Sequence, residues 1–299
     1  MGRPAAYHKD METGTVTNTR EAPPSRRALQ ALLALPDDAI DLAQASLLIA
    51  RDEYPDLQVR RYLDLLDDMA AELRGRMRGG EGPMSRIAHL NRFLFNDLGF
   101  RGNHEDYNDP RNSFLNDVLD RRVGIPISLS TVYIEIGRRI GCPIGGVPFP
   151  GHFLVRYLGP EAPAEILIDP FNRGLILTPE ECRRRLLEMF GERVEFTPHL
   201  LRRARNREII ERMLNNLKGI FERDRDFHRA LRIQETILCL HPAAPAHIRD
   251  RGLLYYRVAC LGEAARDLDA YLQAAPRAPD ADAIRDHLRK LRVLAPAMN

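Results

Sequence analysis

Gly124-Ile-Pro-Ile-Ser128, Pro150-Gly-His152-Phe-Leu-Val155 and Ile166-Leu-Ile-Asp169-Pro-Phe171 are three pieces of one stretch, 124–171, that sets a serine, a histidine and an aspartate in that order. A hydroxyl, an imidazole and a carboxylate are the parts of a nucleophilic triad, in which the base must reach the nucleophile and the acceptor must fix the tautomer of the base. From Ser128 onward, Leu129, Val132, Tyr133, Ile136 and Ile140 form one stripe at helical spacing, ended by Gly141. Gly124 and Pro126 mark a stop and a new start, and the stripe predicts a deeply packed helix from about Ser128. The serine reads two ways: as an N-cap worth about 1 kcal/mol, or as a side chain at the border of the stripe, facing a cleft.

Two alternating segments follow, Phe153 to Tyr157 and Glu165 to Asp169, separated by Gly159-Pro160-Glu-Ala-Pro163. They predict an antiparallel hairpin. A register symmetric about the loop pairs 156 with 165, 154 with 167 and 152 with 169. Opposed residues share a face with Cβ atoms about 5 Å apart, so His152 and Asp169 are expected to hydrogen-bond. The plainer reading of His152 is a packed strand histidine bonded to a carboxylate for structural reasons. Cys142 follows the helix, about 20 Å from its start at 1.5 Å per residue, and reads as a small buried apolar residue. His89, His104, His199 and His228 show no His-x-x-x-His spacing, so neither a metal nor a cofactor is expected.

Upstream, residues 1–26 are rich in Thr, Glu, Arg, Pro and Gly and read as a flexible tail. Helical periodicity takes over from Arg27, with one helix through Leu63, Leu66, Met69, Ala70 and Leu73, a break at Gly79-Gly80-Glu-Gly82-Pro83, a second helical stretch from Ile87 to Leu98 and a third from Asn112 to Leu119. The polar run Asn103, His104, Asp106, Tyr107, Asn108 and Asp109 reads as an Asx-stabilised turn or as a cleft wall. Arg202, Arg203, Arg205 and Arg207 read as a solvated linker or as a dock for an acidic peptide. Downstream of Asn206 the pattern is helical and repeats: Ala230 and Ala264, like Pro242 and Pro276, are 34 residues apart, and Leu217, Phe221, Gly252, Tyr255 and Leu268 fill other positions of a tetratricopeptide pattern. Arg251 occupies a position that is usually apolar. Two repeats and a capping helix, Asp282 to Leu291, complete the expected module.

The 299 residues carry a net charge of only +2 with 29% charged residues, which argues against a nucleic-acid partner. Four scattered cysteines without a Cys-x-x-Cys pair indicate neither zinc cluster nor disulfide framework and fit a reducing cytoplasm. No apolar run approaches the roughly 18 residues of a membrane span, and Ala6 stands where a myristoylation signal wants Ser or Thr.

Arg51-Asp-Glu-Tyr-Pro55, Gly99-Phe-Arg-Gly-Asn103, Asp109-Pro-Arg-Asn112-Ser-Phe-Leu115, Arg121-Arg-Val-Gly124-Ile-Pro-Ile-Ser128-Leu, Phe149-Pro-Gly-His152-Phe-Leu-Val155 and Ile168-Asp-Pro-Phe171 together resemble the bacterial SirB-type family, a transglutaminase-like group fused to tetratricopeptide repeats and named for an up-regulator of invasion genes. The resemblance covers about Leu42 to Leu291. It implies an α+β architecture: an N-terminal helical layer and a papain-type, transglutaminase-like core over 27–200, then an all-α repeat module over 206–299. It also implies that His152 and Asp169 take the catalytic His and Asp positions and that the catalytic cysteine falls near Ser128. No cysteine occurs from Met1 to Ile140. Two functional expectations follow: a binding or regulatory factor without thiol chemistry, holding a protein or peptide in its cleft and repeats, or a serine amidase or acyltransferase using Ser128, His152 and Asp169.

Overall fold

The computed structural model describes residues 23–161 and 165–294. Seven helices and strands lead to the central helix: α1 (Pro24–Leu33), α2 (Leu42–Ala50), α3 (Val59–Arg76), α4 (Pro83–Asn91), β1 (Arg101–Gly102), α5 (Leu115–Arg121) and β2 (Val123–Gly124), followed by α6 (Pro126–Arg139) itself. Strands β3 (Ile144–Val147), β4 (Leu154–Tyr157), β5 (Leu167–Asp169) and β6 (Leu175–Leu177) follow, then α7 (Pro179–Phe190). Five helices complete the described chain: α8 (Asn206–Arg223), α9 (Phe227–Leu240), α10 (Pro245–Arg257), α11 (Leu261–Ala274) and α12 (Ala281–Leu294).

Helix α6 is the hub. Every residue from Pro126 to Gly137 is buried, because α6 packs against α2, α3, α4, α5, β3, β4 and α8 together. A helix covered on all sides has no polar face to spare, and its one buried acid, Glu135, is neutralised by Arg138 at 2.8 Å and by Arg139. The helix starts two residues earlier than the stripe predicts. Pro126 occupies the first turn, where its missing N–H costs nothing, and Ser128 therefore lies inside the helix and not at its cap. Two other helices also differ from expectation: α4 runs into a π-helical turn, 92–97, and the stretch from Asn112 splits into a 3-10 turn, Pro110–Asn112, and α5.

Strands β3-β4-β5-β6 form one antiparallel sheet in sequence order. The expected hairpin is present but its register is shifted by two: Val155 pairs with Ile168 and Arg156 with Leu167. Glu165 and Ile166 belong to the connection, and Glu165 reaches Arg156 through an ion pair of 2.8 Å. Of the expected loop, Ala162 and Pro163 lie outside the described residues. A slip of two preserves the face of every side chain, so Asp169 still points where the sequence expects it.

The parallel bridge between β1 and β2, Gly102 opposite Gly124, holds the polar run 103–109 beside the start of α6. The N-terminal layer meets α8 and α9 at several points, two of which anchor it. The Asp37 carboxylate accepts from the backbone N–H groups of Asn206 (2.8 Å) and Arg207 (3.0 Å), capping α8 from a distant segment. Arg26 pairs with Glu235 at 2.8 Å. Helix α1 thus begins at Pro24, inside the stretch expected to be tail, because residues 24–26 have partners; residues 1–22 lie outside the described residues. In the repeat module Ala230 and Ala264 are fully buried, and Arg251 is accommodated by both oxygens of Asp267, at 2.6 and 2.8 Å. Arg202 pairs with Glu208 and Arg203 with Asp38, and Arg207 donates to the Leu35 carbonyl, so these arginines fasten the junction. No described helix is long and apolar enough to cross a membrane.

Gly102 has no room for a side chain: a Cβ there would stand 2.6 Å from the Phe171 ring and 2.8 Å from its carbonyl oxygen. Gly102→Ala should lower stability by about 1–3 kcal/mol in urea unfolding; an unchanged midpoint and slope would contradict this packing.

Candidate functional site

Asp169 ends β5 and is fully buried. Its Oδ1 lies 2.9 Å from His152 Nε2, while Oδ2 accepts from Asn172 Nδ2 at 2.7 Å and from Arg185 at 3.0 Å. The Asn172 backbone N–H adds a bond to Oδ1 at 3.2 Å. Burial pushes the Asp169 carboxyl up, but the bond and charge of His152 and the two bonds from Asn172 outweigh it and hold the group below the ordinary carboxylate range. An ionised carboxylate only accepts, so Nε2 carries a proton, and in the neutral ring Nδ1 is then the acceptor.

His152 sits just before β4, in a turn where Gly151 takes a positive φ of 68°. That turn is held from α8. Arg212, on α8, donates to the carbonyl of His152 at 2.6 Å and to that of Phe149 at 3.3 Å, and its guanidinium lies over the Phe153 ring. On the other side Phe171 stands edge-on to the imidazole, with centroids 5.9 Å apart, and also packs against His104 and Tyr107. The polar run 103–109 therefore does both things expected of it: Asn103 closes an Asx turn on Asp106, and His104 lines the cleft.

The cleft is a cavity of about 280 Å3 bounded by His152, Phe149, Leu154, Phe171, Leu177 and Met189, with Arg185 and Glu188 also on its wall. Cys182 also borders it, unflagged by the sequence. It is fully buried, and burial pushes its thiol up to about 11, far from the thiolate a nucleophile needs. Cys142 is likewise fully buried, as expected, with its thiol pushed up to about 11. A larger cavity, about 540 Å3, lies between 38–42, the end of α6 and Arg203, where Arg138 with Asp41 and Arg203 with Asp38 satisfy the charges mutually.

Ser128 makes its hydrogen bonds with groups other than His152 and Asp169. Its hydroxyl is buried, donates to the Asn112 carbonyl at 2.6 Å and accepts from the Ile125 N–H at 3.0 Å. Among the described residues no hydroxyl or thiol hydrogen-bonds to His152. Asn112, whose side chain joins Asn103 to the carbonyl of Asp106, ties the serine into the 103–112 loop. The four groups on Asp169 leave no open set of metal donors there. Among the described residues one cluster has metal-ligating composition, Glu211, His241 and His247; it draws on three helices, so no local spacing reveals it.

The fold and the site together define a transglutaminase-like domain continued into tetratricopeptide repeats. Residues 60–215 match the transglutaminase-like superfamily and residues 217–289 match a tetratricopeptide repeat. The chain is 41% identical over 260 residues to a UPF0162 protein of Xylella fastidiosa, covering 86% of this chain and 92% of that one. It is 29% identical over 254 residues to a UPF0162 protein of Vibrio cholerae, 85% and 93% of the two chains. A shorter likeness, 36% over 141 residues, joins it to the human F-box only protein 21, covering 45% of this chain and 22% of that protein. No solved structure matches the chain. The chain belongs to the UPF0162 family, the SirB-type group.

Because the folded Asp169 carboxyl titrates below its unfolded value of about 3.9, its stabilisation is complete above that value and is lost as pH falls through the folded value. Asp169→Asn should cost about 1–3 kcal/mol at neutral pH, with the difference from wild type shrinking below about pH 4; a difference independent of pH would contradict an ionised Asp169.

Proposed function

We propose that this protein is a binding or regulatory factor, and that its cleft takes an apolar side chain from an extended protein segment while the repeat module holds the rest of the partner. The observation that carries the reading is the apolar cleft beside an imidazole to which, among the described residues, no hydroxyl or thiol is bonded. An acyl-transfer mechanism needs a nucleophile whose proton the base can accept. Ser128 gives its proton to a backbone carbonyl, and the buried thiol of Cys182 is held protonated. The His152–Asp169 pair then acts as a fixed polar contact at the cleft mouth: Nδ1 accepts a hydrogen bond from a bound segment.

The exposed edge adds to the reading. Strand β6 is the last of its sheet, and Leu175 and Ile176 on it are 47% and 40% exposed next to Leu177 on the cleft wall. An extended segment can pair with such an edge while setting alternate side chains into adjoining pockets. Stacked repeat helices supply the second surface.

Two experiments test this. A fluorophosphonate probe should leave the folded protein unlabelled, and Ser128→Ala should instead cost about 1–3 kcal/mol of stability through its orphaned partners; stoichiometric labelling lost in Ser128→Ala and His152→Ala would establish the serine enzyme. Quantitative pull-downs should show partners retained by the wild-type chain and lost with Met189→Asp in the cleft wall; partners indifferent to that substitution would overturn the cleft as the binding surface.

A further inference from the structure

Glu211 on α8, His241 at the end of α9 and His247 in the first turn of α10 meet at one point of the repeat module. His241 Nε2 lies 2.9 Å from Glu211 Oε2, and His247 Nε2 lies 3.7 Å from Oε1. The two imidazoles stack, centroids 5.4 Å apart and planes 21° apart, and donor atoms of all three residues fall within 4.8 Å of one another. We propose that Glu211, His241 and His247 bind a zinc ion that ties α8 to the α9–α10 junction.

A single proton shared between Glu211 and His241 satisfies that pair and leaves the second imidazole without a role. A divalent cation serves all three groups. Donors on one tetrahedral zinc, each about 2.0–2.2 Å from the metal, stand roughly 3.4 Å apart, so small side-chain adjustments convert the observed cluster into a coordination shell. The donor set selects the metal: two imidazoles with one carboxylate suit zinc, whereas calcium and magnesium take oxygen shells.

The surroundings hold the ligands in place. Gln234 donates to the His247 carbonyl at 2.9 Å, and Pro242 and Pro245 restrict the connection between the histidines. His247 Nδ1 is buried without a partner, so the polar function of that ring is directed to Nε2, toward Glu211. The nearby Lys218 ammonium is occupied by Gln234 at 2.8 Å and Asp250 at 3.3 Å. Three protein ligands leave a fourth position for water or for a side chain of a bound partner. Glu211 immediately precedes Arg212, so a metal that fixes this part of α8 also fixes the residue that clamps the His152 turn. This inference stands independently of the binding function proposed above.

The test uses the full-length protein stripped of metal with a chelator. Competition titration against a chromophoric chelator should give one zinc equivalent per chain, and cobalt substitution should give visible absorption without a thiolate charge-transfer band. His241→Ala and His247→Ala should each weaken binding by at least about the 10- to 100-fold that loss of an outer-shell partner costs. The near-isosteric Glu211→Gln, checked with the others for native circular dichroism, should weaken it in the same direction, and Cys239→Ser with Cys260→Ser should leave it unchanged. Undiminished affinity in a folded His241→Ala/His247→Ala chain, binding lost in the cysteine variant, or no binding beyond that of magnesium would overturn the site.

Discussion

A dehydrated carboxylate must be met from every side or it unfolds its surroundings, and Asp169 imposes that demand on four segments at once. The end of β5 presents the charge, the following 3-10 turn returns Asn172 to it, α7 supplies Arg185, and the turn before β4 supplies His152. None of these partners can move far without leaving the buried anion unpaired. The cleft is the space their side chains enclose together with Phe171 and Met189.

The same turn is also governed from α8. Arg212 reaches from α8 to the carbonyls of Phe149 and His152, and α8 is itself capped by Asp37 of the N-terminal layer. The N-terminal layer, α8 and the His152 turn therefore share one hydrogen-bonded seam, and the imidazole geometry depends on residues more than fifty positions away in sequence. Removing α8 would take away both the helix dipole that Asp37 neutralises and the clamp on the cleft mouth.

Much of this is legible in the residues. The 34-residue spacing of Ala230 and Ala264 marks places where helices approach too closely for a larger side chain, so the repeat shows through a diverged sequence. The stripe on α6 announces a buried helix and Pro126 marks its start, although the stripe alone does not reveal that Ser128 is turned inward. The His152–Asp169 contact survives an error of two in the expected register because strand faces repeat every two residues. What sequence spacing cannot supply is contact between distant elements. Arg185, Arg212 and Cys182 reach the site from helices whose docking is set by tertiary packing, and Glu211, His241 and His247 converge from three of them.

The chemistry turns on whether Ser128 and His152 act on each other. Ser128 is engaged with the Asn112 carbonyl and the Ile125 N–H, while His152 is engaged with Asp169. A double-mutant cycle in urea unfolding at neutral pH, with Ser128→Ala, His152→Ala and the pair, measures their interaction directly. Two separate networks predict that the single effects add to within about 0.5 kcal/mol, whereas a coupling of about 1 kcal/mol or more would mean that the hydroxyl and the imidazole form one unit and would contradict this account.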